Sequence, residues 1–167
     1  MRSLFLILVL SLSACGWHLR GAAQLPPQMA QTRIVSSVQT SELLRQLKRG
    51  LSSADVLIVG QEVEDAAVLN VQPSTGRETL SIGPDGRVTE YEIFAKVRFS
   101  LTLPTSSFAV PVQEIYLTRD QVFDPLEVLA ADKEQILFQK DMERQLAGMI
   151  LDRISAAYIK YKSSQLN

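Results

Sequence analysis

Residues 88–103 carry the feature that most limits the fold of this chain, a nearly perfect alternation of apolar and polar side chains. One set of alternate positions is apolar and comprises Tyr91, Ile93, Ala95, Val97, Phe99, Leu101 and Leu103. The other set is polar with the exception of Phe94, and its charged members are Glu90, Glu92, Lys96 and Arg98. Because successive side chains of a strand point to opposite faces, the pattern predicts a long strand with one buried face and one exposed face.

The segments on both sides of this strand predict further strands. Residues 83–86, Gly-Pro-Asp-Gly, form a strong turn signal because glycine tolerates positive φ and proline fixes its own φ. Residues 68–82 predict a strand that becomes irregular around Pro73 and Gly76, and residues 112–123 predict a later strand. Together these segments predict an antiparallel meander of long strands.

The preceding segment predicts a strand, a helix and a second strand in that order. Residues 34–38 and 56–59 are short apolar runs of strand length. Between them, Thr40 and Ser41 offer an N-cap to a helix with leucines at helical spacing, and Gly50 offers a stop signal. A crossover of this kind predicts that the two short strands run parallel.

From Pro125 onward the apolar residues recur every three or four positions, which is typical of a helix. Because a helix of about 35 residues is long for a globular protein, a break or kink is expected near residues 130–132. The apolar stripe is expected to pack on the buried face of the sheet and comprises Leu126, Leu129, Ile136, Leu137, Met142, Leu146, Met149, Ile150, Ile154, Ala157, Tyr158 and Tyr161.

These elements predict an α+β fold with a single domain at residues 32–167. The domain is a two-layer sandwich in which two helices pack on one face of a mixed, mostly antiparallel β-sheet. The other face of the sheet, which carries the polar side chains of residues 88–103, is left to solvent or to a partner.

The N-terminus has the organisation of a bacterial lipoprotein precursor. One basic residue, Arg2, precedes an apolar run at residues 4–12 that is about half the length of a membrane-spanning helix. Residues 12–15, Leu-Ser-Ala-Cys, then match the lipobox. This motif predicts that a signal peptide of residues 1–14 is removed and that Cys15 carries a diacylglycerol and an N-acyl chain.

The acyl chains are the only membrane anchor that the sequence predicts. Two or three chains hold a protein firmly, whereas one chain binds only marginally. Gly16 occupies the position where an aspartate usually retains a lipoprotein at the inner membrane, so the outer membrane is the expected location. Residues 15–31 contain glycines and two prolines without an apolar period, which predicts a tether.

The composition argues against several classes of function. Cys15 is the only cysteine and His18 the only histidine, so the mature chain lacks the residues for a disulfide, a His-based metal site or a catalytic triad. Without Arg2 it has 16 basic and 18 acidic residues, which disfavours a nucleic-acid partner. We expect no enzyme, no metal and no cofactor beyond the acyl chains. The closing helix also carries five carboxylates: Asp132, Glu134, Asp141, Glu143 and Asp152. We interpret them as a solvated face whose charge is balanced by basic residues of the same helix, namely Lys133, Lys140, Arg144 and Arg153.

The tether carries the most specific sequence motif. Residues 15–21, Cys-Gly-Trp-His-Leu-Arg-Gly, resemble the start of the mature LPS-assembly lipoproteins of the LptE family. The Glu-Tyr-Glu of residues 90–92, the Val-Phe-Asp of residues 122–124 and the closing helix from Met142 are similar to later parts of that family. The resemblance covers nearly all of the mature chain, and it implies the same α+β fold.

The resemblance also implies a role. LptE proteins plug the lumen of the outer-membrane β-barrel LptD in a 1:1 complex, assist its assembly, and take part in inserting lipopolysaccharide into the outer leaflet. Since polar surfaces line a barrel lumen, Glu90, Glu92, Lys96 and Arg98 are the expected partner-facing residues. An auxiliary lipid-binding lipoprotein of an ABC-type envelope lipid transporter remains the alternative, because it too would be a small anchored α+β domain without catalytic residues.

Lipopolysaccharide is the second partner that the resemblance implies. Its lipid A phosphates need cationic partners, and the family uses basic side chains near the central turn and at the start of the closing helix. The nearest candidates are Arg87 and Lys133, each two or three residues from the family's basic position, where this chain has Pro84 and Ala131. The alternative is that Arg87 and Lys133 are ordinary solvated charges.

Overall fold

The computed structural model describes residues 24–165, which form five strands and two helices after a short 3₁₀ turn at Pro27–Met29. In chain order the elements are β1 Gln31–Ser36, α1 Glu42–Ser53, β2 Leu57–Ile58, β3 Ala67–Ile82, β4 Val88–Thr102, β5 Ala109–Val122 and α2 Val128–Ser164. The turn places Met29 in the core, where it is fully buried. Packing therefore begins a few residues before position 32, the predicted start of the domain.

The strands form one mixed sheet in the order β2-β1-β3-β4-β5. β1 runs parallel to both β2 and β3, whereas β3, β4 and β5 form an antiparallel meander. The predicted parallel pair and the predicted meander are both confirmed. The pairing of β1 with β3 ends at Val71, so beyond that residue β3 has no neighbouring strand on its β1 side.

β3 is regular where the sequence predicted an irregularity. Its register with β4 continues through Pro73 and Gly76 and shifts only between Thr79 and Ile82. Pro73 is tolerated because β3 is an edge strand on one side at that point. Gly76 is the register partner of Phe94, and a Cβ on Gly76 would lie 2.7 Å from the ring atom Cζ of Phe94. The predicted irregularity was wrong, because the open β1 side of β3 tolerates Pro73 and the ring of Phe94 fills the space beside Gly76.

α1 begins where the sequence places its N-cap. The Oγ of Ser41 accepts a hydrogen bond from the backbone N–H of Leu44 at 3.2 Å. The helix continues through Gly50 to Ser53, so the predicted stop signal was wrong. A Cβ on Gly50 would overlap the side chain of Leu151, which shows that the glycine permits close approach of α1 and α2. The buried side of α1 comprises Leu43, Leu44, Leu47 and Leu51.

α2 runs without interruption from Val128 to Ser164 and is about 55 Å long at 1.5 Å per residue. The break expected near residues 130–132 is absent. Side chains from two strands hold this first part of the helix on the sheet: Gln121 donates to the backbone carbonyl of Ala131 at 2.8 Å, and Arg77 lies 3.7 Å from the carboxylate of Asp132. The helix is therefore supported along its whole length.

The predicted apolar stripe of α2 is buried only in its second half. Met142 is buried, whereas Leu129 and Leu137 are 79% and 65% exposed. At about 100° per residue, those two leucines lie about 140° around the helix from Met142. The first half instead turns Ala131 and Phe138 towards the sheet. The expectation that the early apolar residues pack on the sheet was wrong, and the exposed ones are Leu126, Leu129, Ile136 and Leu137.

The molecule divides into two unequal halves. We call residues 72–98 and 114–141 the distal half and the other described residues the proximal half. In the proximal half both helices cover the sheet, whereas in the distal half α2 lies on it alone. The proximal half contains 20 of the 25 buried hydrophobic residues, while the smaller distal half contains 9 of the 14 exposed large ones. No helix among residues 24–165 is both long enough and apolar enough to span a bilayer.

Candidate interaction surfaces

The face of the sheet opposite the helices, called here the open face, carries all four predicted partner-facing residues. Glu90, Glu92 and Lys96 are partly exposed, and Arg98 is exposed. They share this face because they occupy alternate positions of β4, whose other positions are buried under the helices. The prediction that the four residues share one exposed face is confirmed, and their contact with a partner stays a prediction.

An aromatic pair lies at the centre of the open face. The ring of Phe94 covers Gly76, and its centroid is 6.1 Å from that of Tyr116 on β5. The Nζ of Lys96 lies 5.7 Å from the Phe94 centroid, within the range of a cation–π interaction. Phe94, the one exception in the polar alternation, thus supports the sheet from its exposed side by filling the space beside a glycine.

Negative charge surrounds this aromatic pair on its distal side. The hydroxyl of Tyr116 donates to Oε1 of Glu92 at 3.2 Å, and Glu78 is the register partner of Glu92 on β3. Desolvation raises the pKa of Tyr116, and the hydrogen bond to Glu92 and the charges of Glu92 and Glu78 raise it further. The open face therefore offers carboxylates towards the distal end and the cations Lys96 and Arg98 nearer the middle.

The two predicted lipopolysaccharide-binding cations both lie at the distal end. Arg87 follows the β3–β4 turn, where its Nε is 3.7 Å from a carboxylate oxygen of Asp85. Lys133 is exposed in the second turn of α2 and forms no ion pair within residues 24–165. The backbone bond from Phe123 to Thr89 joins β5 to β4 beside the turn, so both cations belong to one end of the molecule. No direct contact between them is seen.

Exposed apolar side chains occupy the same end. Leu126 is 92% exposed in the loop before α2, and Val122 at the end of β5 is 75% exposed. We call this group the distal apolar surface, and it comprises Leu80, Ile82, Val122, Leu126, Val128, Leu129, Ile136 and Leu137. This surface was not predicted, because four of its residues were assigned to the core. The helical angle between Leu129 and Met142 was the signal that could have revealed it.

Polar contacts fix the position of α2 beneath this surface. Arg119 on β5 pairs with Asp141 at 2.5 Å, and its guanidinium carbon lies 5.3 Å from the ring centroid of Phe138. The Nε2 of Gln121 donates to Glu134 at 2.8 Å. The carboxylates of α2 were interpreted as balanced by bases of the same helix, yet several contact side chains of the strands. These carboxylates help to position α2 on the sheet. Within residues 24–165, no cluster of acidic residues, histidines or cysteines could hold a metal ion.

A second polar group joins the two helices. Glu143 of α2 accepts the backbone N–H of Glu42 at 3.1 Å, at the start of α1. Its pKa is raised, first by desolvation, while the hydrogen bonds from the backbone of Glu42 and Leu43 oppose that shift. The pKa of Glu42 is lowered to about 2 by hydrogen bonds from Gln46 and Arg45 and by the nearby cations. These contacts fix the beginning of α1 on α2.

Cys15, Gly16 and the rest of the motif at residues 15–21 lie outside the described residues. Residue 24, where the described chain begins, precedes β1 on the proximal side of the sheet, since β1 starts beside the first residues of β3. Any anchor on Cys15 would therefore connect to the proximal half. The distal apolar surface lies at the opposite end of β3 and α2.

Comparisons with known proteins agree with this architecture. A family model described as LptE, lipopolysaccharide-assembly, matches residues 29–154. The chain is similar to the LPS-assembly lipoprotein LptE of Photorhabdus laumondii, with 30% identity over 152 residues, 87% of this chain and 80% of that protein. It also resembles the crystal structure of rare lipoprotein B from Shewanella oneidensis, with a TM-score of 0.66, 32% identity, and coverage of 79% of this chain and 98% of that one. It also resembles the solution structure of lipoprotein B from Nitrosomonas europaea, with a TM-score of 0.67 and 26% identity. That match covers 84% of this chain and 91% of the other.

Proposed function

The chain belongs to the LptE family of lipopolysaccharide-assembly lipoproteins, and from that premise we propose that it plugs and helps assemble the outer-membrane β-barrel LptD. The family is non-enzymatic, and its role lies in lipopolysaccharide transport. In the proposed 1:1 complex, acyl chains on Cys15 anchor the protein in the periplasm-facing leaflet and the domain occupies the barrel lumen. The pair then takes part in inserting lipopolysaccharide into the outer leaflet.

The separation of the two ends of the molecule carries this proposal. The described chain starts at residue 24, in the proximal half. The distal apolar surface lies at the far end of α2, which is about 55 Å long. Nine of the 14 exposed large hydrophobic residues lie in the distal half, and apolar side chains concentrated at one end of a protein offer a contact to a partner or a lipid. Because this surface lies at the end away from the anchor, it is suited to a partner reached at some distance from the anchoring leaflet.

Lipopolysaccharide matches the chemistry of the distal end. Arg87 and Lys133 offer positive charge for phosphates, and Leu126 and Leu129 offer apolar contact for acyl chains. An amphiphile with both features would use the cations and the leucines together. The proposed binding residues are therefore Arg87 and Lys133, supported by the distal apolar surface.

The barrel contact is proposed for the open face. Glu90, Glu92, Lys96 and Arg98 give this face both signs of charge, and the lumen of an outer-membrane barrel is polar. A plug that presents the distal part of this face to the lumen wall would leave its buried core, under the two helices, unchanged. The contact supports assembly by offering a preformed polar surface to the folding barrel.

Co-purification tests the barrel proposal. The full-length chain should be extracted from outer membranes with detergent and its stable partner identified by mass spectrometry. A 1:1 complex with a large outer-membrane barrel is expected. Recovery of an inner-membrane ATPase complex instead would contradict the plug and support the alternative of an ABC-type lipid transporter.

Replacement of the acylated residue tests the anchor separately. Cys15→Ala in a strain lacking the barrel should move the protein from the membrane fraction to the soluble fraction, because the acyl chains are the proposed anchor. Retention in the membrane in that strain would mean that some other part of the chain holds it there.

Charge reversal tests the lipopolysaccharide site. Arg87→Asp with Lys133→Asp should weaken lipopolysaccharide binding by at least about tenfold, since each lost charge-assisted bond contributes about 1.5–3 kcal/mol. The melting temperature and the barrel complex should be unchanged, because both side chains are exposed. The matched control is Arg49→Asp with Lys160→Asp, two exposed cations of the proximal half. Equal binding by the two double variants would remove Arg87 and Lys133 from the site.

A further inference from the structure

A β-bulge forms a cleft on the open face at the border between the two halves. The register of β4 with β5 shifts between Phe99 and Leu101, so that Pro111 and Val112 together oppose the single residue Ser100. Such bulges bend the strand and are common beside binding sites. Val112 is 71% exposed and forms one wall of a shallow cleft of about 260 Å³, which we call the bulge cleft. Its lining comprises Asn70, Gln72, Arg98, Phe99, Ser100 and Val112.

Four polar side chains converge in the bulge cleft from two adjacent strands. Asn70 on β3 is the register partner of Ser100 on β4, and Gln72 is the register partner of Arg98. Side chains opposite each other in an antiparallel pair have Cβ atoms about 4.5–5.5 Å apart. The two pairs therefore place two carboxamides, a hydroxyl and a guanidinium side by side on one surface.

None of these four side chains bonds to another protein group within residues 24–165. Asn70, Gln72, Ser100 and Arg98 form no side-chain hydrogen bond there, although other polar groups of the open face do, such as Tyr116 with Glu92. Arg98 also forms no ion pair within that range, even though its register partner on β5 is Glu114. The donors and acceptors of the bulge cleft are therefore free for a ligand.

We propose that the bulge cleft binds a single sugar residue bearing a carboxylate or a phosphate, in the saccharide part of lipopolysaccharide. Carboxamides and a serine hydroxyl both donate and accept, as sugar hydroxyls do. Arg98 adds a fork of donors that matches a carboxylate or phosphate. The cleft is smaller than pockets that enclose drug-sized ligands, so it has room for one ring rather than a chain.

This inference rests on the proposed function, but it concerns a different surface and a different part of the ligand. The distal end would hold phosphates and acyl chains, whereas the bulge cleft would hold a sugar residue. The two surfaces are separated along β4, since the cleft lies at residues 98–100 and the strand begins at Val88. Of the four expected partner-facing residues, Arg98 would contact the sugar at the proximal border of the open face. The lumen wall would contact the remaining, distal part of that face at Glu90, Glu92 and Lys96 and would leave the bulge cleft uncovered.

The experiment uses the mature lipidated chain in a detergent without sugar or phosphate groups. Its side-chain amide signals from Asn70 and Gln72 are followed by NMR during titration with the lipid-free oligosaccharide released from lipopolysaccharide. Both signals are expected to shift, and Arg98→Gln should weaken the binding at least tenfold. Gln72→Ala, an exposed position that leaves the charge in place, should weaken it several-fold. The matched control, Arg49→Gln on the helical side, should bind as the wild type does.

Two further titrations define what the cleft recognises. Inorganic phosphate alone and the neutral sugar maltotetraose should each shift the two signals much less than the charged oligosaccharide. Shifts of equal size with phosphate would show an anion site, and equal shifts with maltotetraose would show that the charge is not recognised, so either result overturns the proposal. Binding of intact lipopolysaccharide without binding of the oligosaccharide would reject the bulge cleft alone. Failure of both ligands to bind would reject the proposed lipopolysaccharide site as well.

Discussion

The proximal and distal halves of this domain use the same sheet in different ways. In the proximal half α1 and α2 cover the sheet together, and the side chains between them, such as Leu47 and Ile150, are fully buried. In the distal half α2 lies on the sheet alone, and Leu129 and Leu137 on the same helix face outward. The contrast indicates that apolar residues stabilise the fold in one half and remain available for contacts in the other.

The two halves also use polar groups differently. In the proximal half, Glu143 and Ser41 satisfy the backbone at the start of α1. In the distal half, Arg77, Arg119 and Gln121 reach from the strands to α2. Polar contacts therefore replace part of the missing apolar packing where only one helix covers the sheet. This arrangement predicts a gradient of stability along the molecule.

The largest expected effect is the truncation of a core residue of the proximal half. Ile150→Ala should lower the free energy of unfolding by about 2–5 kcal/mol, because it leaves a cavity at a fully buried position. Leu129→Ala, on the same helix but 79% exposed, should change it by less than about 0.5 kcal/mol. Urea denaturation of a soluble chain lacking residues 1–15 measures both. Equal losses would show that the two halves do not differ as described.

The distal apolar surface should affect binding without affecting stability. Leu126→Gln with Leu129→Gln should reduce lipopolysaccharide affinity at least about tenfold, because burial of each leucine contributes about 1.5–3 kcal/mol. The control, Leu57→Gln with Ile159→Gln, changes two exposed residues of the proximal half. Calorimetry measures the affinity, and urea denaturation measures the free energy of unfolding. Wild-type affinity in the distal variant would show that the surface is not a contact.

Acid should weaken the contacts that Glu42 makes at the start of α1, chiefly its hydrogen bonds with Gln46 and Arg45. Glu42 has a folded-state pKa of about 2 against an ordinary value of 4.5, so its stabilising contribution is complete above pH 4.5 and is lost as the pH falls towards 2. Protonation of Glu143 has the opposite effect on stability, because its raised pKa means that the folded protein favours the protonated form. Glu42→Gln should therefore reduce the fall in melting temperature between pH 5 and pH 3 by about 2–4 °C.

A control for the acid effect is available in α1 itself. Arg49→Gln changes the net charge of the helix without touching Glu42 or Glu143, so it should leave the pH dependence as in the wild type. If the slope of melting temperature against pH were the same in Glu42→Gln and in the wild type, the contact at the start of α1 would not be the source of the effect.

The smallest expected effect is the ion pair that holds the distal part of α2. A double-mutant cycle of Arg119→Ala and Asp141→Ala should give a coupling energy of about 0.5 kcal/mol, as is usual for pairs that are partly exposed. Amide hydrogen exchange should nevertheless quicken in residues 128–141 and not in residues 146–158. An equal response in both segments would mean that α2 opens as one unit.

Much of the fold could be predicted because its signals are local. The alternation that buries Ile93 and Val97 and exposes Arg98 follows from the period of a strand, and the N-cap at Ser41 follows from one side chain and one backbone group. The proposed binding residues were harder to predict from the sequence. Arg87 and Lys133 were named from a resemblance, and their proximity at one end depends on how β5 and α2 meet β4.

The residues that were mispredicted share a physical cause. Gly50 was interpreted as a stop and Gly76 as an irregularity, but the space around each is filled by a residue distant in sequence, Leu151 and Phe94. Leu129 was assigned to the core from its spacing to neighbouring apolar residues, although its angle of about 140° from Met142 around α2 turns it away from the sheet. The bulge cleft was not predicted, because the register shift opposite Ser100 is a property of two paired strands.

The sequence by itself determined the family, the α+β class, the long strands and the polar face of β4, because periodicity and short motifs are written along the chain. Only the tertiary structure decided the strand order, the unbroken course of α2 and the exposure of the distal apolar surface. α1 is short and covers only the proximal half of the sheet. Which apolar residues are buried therefore depended on which elements lie beside them, and that information comes from contacts between residues far apart in the chain.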